Sequence, residues 1–107
     1  MKRGQVWTLA APGDYTSKPR PALILQADRF DATNSVAVCP LTSDPTESML
    51  RIPIEPTAAN GLATTSRVMI DKITTVRRDR LGNTVGALTD AEMLTVNRAM
   101  LVFLGIA

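Results

Sequence analysis

Alternating apolar and polar positions carry most of this chain, and a helical stripe takes over at its end. Gln5-Val6-Trp7-Thr8-Leu9 is the first strand-like run, with Val6 apolar, Thr8 polar, and Trp7 and Leu9 bulky. Residues 22–26 form a short apolar run that reads as a second strand, followed by a connection over 27–34 in which Phe30 is expected to tuck inwards. Residues 35–43 predict a third strand that meets Pro40 near its end, and a proline there marks an edge, a bulge or the end of pairing. Residues 49–55 alternate as a half-buried strand does, with Leu50, Ile52 and Ile54 on one face. Further strands are predicted over 65–70 and 73–76, with turns at Asn60-Gly61 and Gly82-Asn83.

The last element is a helix. Thr89 with Glu92 three residues on is a capping box, and Asp90 suits the positive end of the helix dipole. Met93, Val96, Met100, Phe103 and Leu104 form an apolar stripe widened by Leu94 and Leu101, and Gly105 is a fitting stop. A helix of about 14 residues, packed on a sheet of the earlier strands, follows from these signals. The residues alone therefore predict one small, strand-rich domain over 1–107 with a single C-terminal helix.

Composition narrows the chemistry more than the fold. The chain has no histidine and one cysteine, Cys39, so a His-based triad, a zinc site and an intramolecular disulfide are all set aside. Cys39 reads as a small buried hydrophobe. No apolar run reaches membrane-spanning length and no signal-peptide core follows the N-terminus, so no membrane contact and a cytoplasmic location are expected. The formal charge is only +2, but Arg67, Lys72, Arg77, Arg78 and Arg80 lie in one segment against Asp71 and Asp79. That segment either faces an anion or is a solvated face with paired charges.

The most suggestive stretch is Lys18-Pro19-Arg20-Pro21, directly before the second strand. Pro19 fixes its own φ and Pro21 pushes Arg20 towards extended backbone, so the guanidinium starts from a stiff stub. Its planar fork of donors suits a phosphate. Residues 10–17 lead into that stub as a loop, where Tyr15 either stacks on a base or lies on the surface. Thr42 and Ser43 place hydroxyls at the end of the third strand. Taken singly, Arg20 also fits a solvated strand edge, Thr42 a turn cap, Asp71 a partner for Arg67 or Lys72, and Thr65 ordinary strand packing.

Lys2-Arg3-Gly4-Gln5-Val6-Trp7, Arg20-Pro21-Ala22-Leu23, Pro40-Leu41-Thr42-Ser43 and Val68-Met69-Ile70-Asp71-Lys72-Ile73 stand in an order and spacing that continues through Thr75-Val76, Arg80-Leu81-Gly82, Val85-Gly86 and Thr89-Asp90-Ala91-Glu92-Met93. In that pattern the chain resembles the MazF/PemK-type endoribonuclease toxins of bacterial toxin–antitoxin systems. The resemblance implies a mainly β (α+β) fold, an SH3-like, partly open barrel with the C-terminal helix packed on the sheet. It implies a homodimer that binds single-stranded RNA, needs no cofactor or metal, and is neutralised by a cognate acidic antitoxin. Catalysis would fall on Arg20 and Thr42, with Asp71 as the carboxylate nominated for a general base. Lys18, Ser43, Thr65, Lys72 and Tyr15 would contact RNA. The reaction implied is attack by the substrate's own 2′-OH, giving a cyclic phosphate and a 5′-OH. Many relatives carry glutamine and arginine where this chain has Lys72 and Thr74. The rival implied by the shared fold is CcdB, a non-catalytic gyrase poison whose chain ends in tryptophan-glycine-isoleucine; here the end reads Leu104-Gly105-Ile106-Ala107.

Overall fold

The computed structural model describes residues 1–10 and 19–107. Seven antiparallel strands form one sheet: β1 (Gln5–Leu9), β2 (Arg20–Ile24), β3 (Ser35–Thr42), β4 (Arg51–Ile54), β5 (Ser66–Met69), β6 (Thr74–Arg77) and β7 (Leu81–Ala87). A single helix, α1 (Asp90–Phe103), follows. The architecture is mainly β with one C-terminal helix, and the sheet stays open between β4 and β7.

Strand β3 organises the sheet because it is buried on both faces. Val36 and Val38 enter one apolar cluster with Ala22, Ile24, Val76 and Leu81, while Cys39 and Leu41 enter the main core with Val6, Leu23, Ile54, Val68 and Ile70. One edge of β3 pairs with β2, Leu23 opposite Cys39. The other edge is divided between two partners. Residues Ser35 to Val38 pair with β6, and Leu41 and Thr42 pair with β5. Pro40, which has no N–H to give to a ladder, falls in the gap between them. Pairing does not end at Pro40: β3 changes partner there on this edge and keeps β2 on the other, with Ala22 opposite Pro40.

The turn from β5 to β6 is a single 3₁₀ turn, Ile70–Lys72, anchored by the fully buried Ile70 and by the Ile70 N–H donating to Leu50 O at 2.9 Å. Cys39 lies in the core as expected; burial, and then the charge of Asp71, push its thiol up to about 12.

Two expectations change. Gly82-Asn83 is not a turn but lies inside β7, paired with β1 across an irregular register. A Cβ at Gly82 would stand 2.6 Å from the Thr8 hydroxyl, which accepts the Asn83 N–H at 2.9 Å. The glycine marks close approach of two strands rather than a reversal of the chain. Phe30 does not tuck inwards. It is half exposed on a 3₁₀ turn (Asp28–Phe30) held by polar bonds, with the Gln26 amide donating to Phe30 O and the Arg29 guanidinium 4.9 Å over the ring.

Helix α1 starts as its sequence predicts. Thr89 Oγ1 accepts the Glu92 N–H at 3.1 Å, and Glu92 Oε1 accepts the Thr89 N–H at 2.8 Å. Met93 and Val96 pack into the main core, with Ala99 and Met100 at its margin. The stripe then runs off the sheet, and Leu94, Leu101, Phe103 and Leu104 are exposed. No helix among the described residues is long and apolar enough to cross a membrane.

Candidate active site

The two residues singled out for phosphate chemistry meet in one cleft of about 300 Å³. Arg20 is the first residue of β2, with Pro19 before it and Pro21 after it, opposite Leu9 of β1. The strand begins two residues earlier than the apolar run alone predicts, because both prolines favour extended backbone. Prolines at the entry of a central strand also cost no ladder bond deeper in the sheet. Arg20 is exposed, and among the described residues no carboxylate pairs with it.

Thr42 comes to the same cleft from the far end of β3, half-buried, with Ser43 beside it. Its hydroxyl oxygen accepts the Asp44 N–H at 3.1 Å. That bond occupies the oxygen from one side and leaves the O–H proton to donate into the cleft. Asp44 itself is engaged by Thr46, whose N–H and hydroxyl both donate to Oδ1 and hold the carboxyl below its ordinary range. Thr8 of β1 is a second hydroxyl of this kind, since its oxygen already accepts the Asn83 N–H. The cleft is also lined by Gly61 to Thr64 with Ser66 and Val85, a segment that forms part of its wall. Among the described lining residues Arg20 is the one charged side chain, a single positive pole with no carboxylate beside it in that set.

Of the other predicted site residues, Asp71, Lys72 and Thr65 do not line this cleft. Asp71 sits on the 3₁₀ turn at the sheet corner and forms a two-point ion pair with Arg51, Nε to Oδ1 at 2.8 Å and Nη2 to Oδ2 at 3.0 Å. The Arg51 guanidinium holds its carboxyl below the ordinary carboxylate range. Its partner is thus neither Arg67 nor Lys72. Asp71 braces the turn through Arg51, and a carboxylate held by an arginine is a weaker base than a free one. Lys72 is exposed on the same turn, and Thr65 spends its hydroxyl on the Glu55 carboxylate at 2.9 Å. Tyr15 and Lys18 lie outside the described residues.

The positive segment also resolves into separate tasks. Arg77 pairs with Asp79, Arg78 with Asp31, Arg67 donates to Arg51 O, and the Arg80 guanidinium donates twice to Ala10 O. Paired and bonded charges, not one anion-facing surface, account for that run. What the sequence reading misses is the wall at 61–64, signalled only by Asn60-Gly61 as a turn.

The description "PemK-like, MazF-like toxin of type II toxin-antitoxin system" fits residues 2–104 of the chain. The chain belongs to this toxin family. It is 57% identical to the probable endoribonuclease MazF of Mycolicibacterium smegmatis, over 100% of this chain and 99% of that one. Among solved structures it is similar to an endoribonuclease in complex with its cognate antitoxin from a mycobacterial species, at a TM-score of 0.81 and 28% identity over 100% of this chain and 97% of that one. It shares the fold of the Mycobacterium tuberculosis toxin MazF-mt6, at a TM-score of 0.81 and 24% identity, covering 94% of this chain and 96% of that one. The toxin fold thus spans the whole chain, and the Arg20–Thr42 cleft lies within it.

Proposed function

We propose that this MazF-type toxin is an endoribonuclease that cuts single-stranded RNA in the Arg20–Thr42 cleft without a metal ion. The observation that carries the reading is the meeting of a lone guanidinium and a free hydroxyl donor in one cleft. The 2′-OH of the nucleotide 5′ to the cut attacks the neighbouring phosphorus and gives up its proton to solvent water. The P–O bond to the 5′-oxygen breaks, leaving a cyclic phosphate on one product and, after proton uptake, a 5′-OH on the other. Charge on the non-bridging oxygens rises in the transition state, where Arg20 neutralises it and Thr42 donates a hydrogen bond to the same group. Positioning and charge neutralisation supply most of the rate in phosphoryl transfer, and both are available from these two residues. Ser43, next to Thr42 and exposed, lies where a second phosphate contact is useful.

The test is incubation of the purified protein with single-stranded RNA in EDTA. Cleavage with cyclic phosphate ends is expected, and Thr42→Val is expected to slow it about a hundredfold. An intact RNA under those conditions contradicts the reading. Asp71→Asn is expected to keep cleavage within about threefold, since the carboxylate does not face the cleft. The same variant changes acid stability. The native pKa of Asp71 is depressed, so its contribution is present above the unfolded value and lost as pH falls through the native one. Urea titrations of the variant below pH 4 or so should show a shallower loss of stability than the parent.

The toxin acts as a homodimer in the cytoplasm, held in check by an acidic cognate antitoxin that competes with RNA for the positive pole of the cleft. The exposed apolar end of α1 supports association, because Leu101, Val102, Phe103 and Leu104 stand together in water in the single chain. Poisoning of DNA gyrase in the manner of CcdB is not favoured. The family match lies elsewhere, and no aromatic residue occupies Leu104.

A further inference from the structure

The Gly61–Thr64 segment that lines the cleft with Arg20 is built with more polar burial than a surface loop needs. Among the described residues the buried polar side chains are Asn60 and Ser66, and they stand at the two ends of this wall. Asn60 Oδ1 accepts the N–H groups of Thr57 and Leu62, both at 3.0 Å, and Asn60 Nδ2 donates to Glu55 O at 2.8 Å. Ser66 Oγ donates to Thr64 O at 3.0 Å. The turn is pressed on β7 as well: the Ala87 N–H donates to Ala59 O, and Gly61 and Gly86 leave no room for a Cβ against Val85 and Asn60. Between these clamps Ala63 and Thr64 are exposed to the cleft. Their main-chain N–H groups make no hydrogen bond within the described residues.

A segment fixed at both ends, small in side chain and open in its polar groups, is what a base edge requires. Phosphate contacts place a strand, whereas contacts to base edges select its sequence. In single-stranded RNA those edges are unpaired and accessible to main-chain and hydroxyl groups. Arg20 and Thr42 serve the phosphate, whereas the main-chain N–H groups of residues 63 and 64 and the Thr64 hydroxyl belong to residues lining the same cleft and make no hydrogen bond within the described residues. We propose that the Gly61–Thr64 wall reads the base beside the scissile phosphate, and that Asn60 is the positioning residue that holds the wall in register. This rests on the RNA-cleaving reading above. Ala63 sets how large a base the wall admits, and Thr64 supplies a hydroxyl to its edge.

The test maps the ends cut in a randomised single-stranded RNA pool by the full chain and by Ala63→Leu, Thr64→Val, Asn60→Ala and Asn60→Asp. Ala63→Leu and Thr64→Val lie at exposed positions and are expected to melt with the parent. Each is expected to change the base frequencies flanking the cut and to lower kcat/KM at the parent's preferred site about tenfold. Asn60→Ala is expected to broaden the preference at a temperature where it is folded. Asn60→Asp keeps both acceptor bonds but sets a second oxygen against Glu55 O in place of the donor, and is expected to broaden the preference as Asn60→Ala does; if neither folds, the two wall variants decide. Unchanged flanking frequencies in Ala63→Leu and Thr64→Val overturn the wall's role, whether the rate is kept or falls equally at every site. A parent protein that cuts nothing overturns the nuclease reading and the wall together, so the two failures are told apart.

Discussion

Arg20→Ala is expected to lower RNA cleavage by about a thousandfold or more while leaving the fold in place. The guanidinium is the one charge among the described cleft residues, so none of those residues replaces it as negative charge builds on the phosphate. Arginines that meet a transferring phosphoryl group contribute on the order of a thousandfold or more to the rate. Arg20 is exposed at the mouth of β2 and enters neither apolar cluster, so its removal should move Tm by no more than about 2 °C. Arg20→Lys keeps the charge but loses the planar fork, and is expected to recover only part of the rate. Single-turnover cleavage alongside a thermal melt measures both quantities. An active, normally folded Arg20→Ala removes the residue from the mechanism.

Gly86→Ala is expected to damage the fold rather than the chemistry. A methyl group there would meet the Ala59 carbonyl and the main chain of Asn60, and no side-chain rotation relieves a collision with backbone. Overpacking of this kind costs about 3 kcal/mol, a large part of the stability of a domain this size. Gly105 provides the control. Its φ is +73°, but nothing lies within 4 Å of its would-be Cβ, so Gly105→Ala carries only the left-handed backbone penalty of about 1 kcal/mol. Urea unfolding of the two variants should separate them clearly. Equal stabilities would mean that the turn carrying Asn60 is not packed on β7 as described.

Local signals carried most of the fold. The capping box at Thr89 and Glu92, the alternation through β4 and the two-proline stub at Arg20 each state their structure within a few residues. The expectations that changed depend on contacts between distant segments. Gly82 looks like a turn until Thr8 is seen beside it, and the apolar stripe of α1 does not say how far the sheet extends beneath it. The site shows the same division. The stiff stub of Arg20 was legible in its two prolines, whereas Thr42 was named beside it through the family resemblance; both line one cleft. The ion-pair partner of Asp71 was not legible because Arg51 lies twenty residues away on another strand. Asn60-Gly61 reads as a turn in sequence, and only the bonds of the Asn60 side chain reveal a rigid wall.

The central claim is that Arg20 and Thr42 act on a phosphate attacked by its own neighbouring hydroxyl. The most direct measurement places a single deoxyribose immediately 5′ to the mapped cut in an otherwise unmodified RNA and follows cleavage in EDTA. Loss of cutting at that bond alone, with the all-ribose control yielding cyclic phosphate and 5′-OH ends, is the predicted result. Cutting at the deoxyribose bond would contradict it.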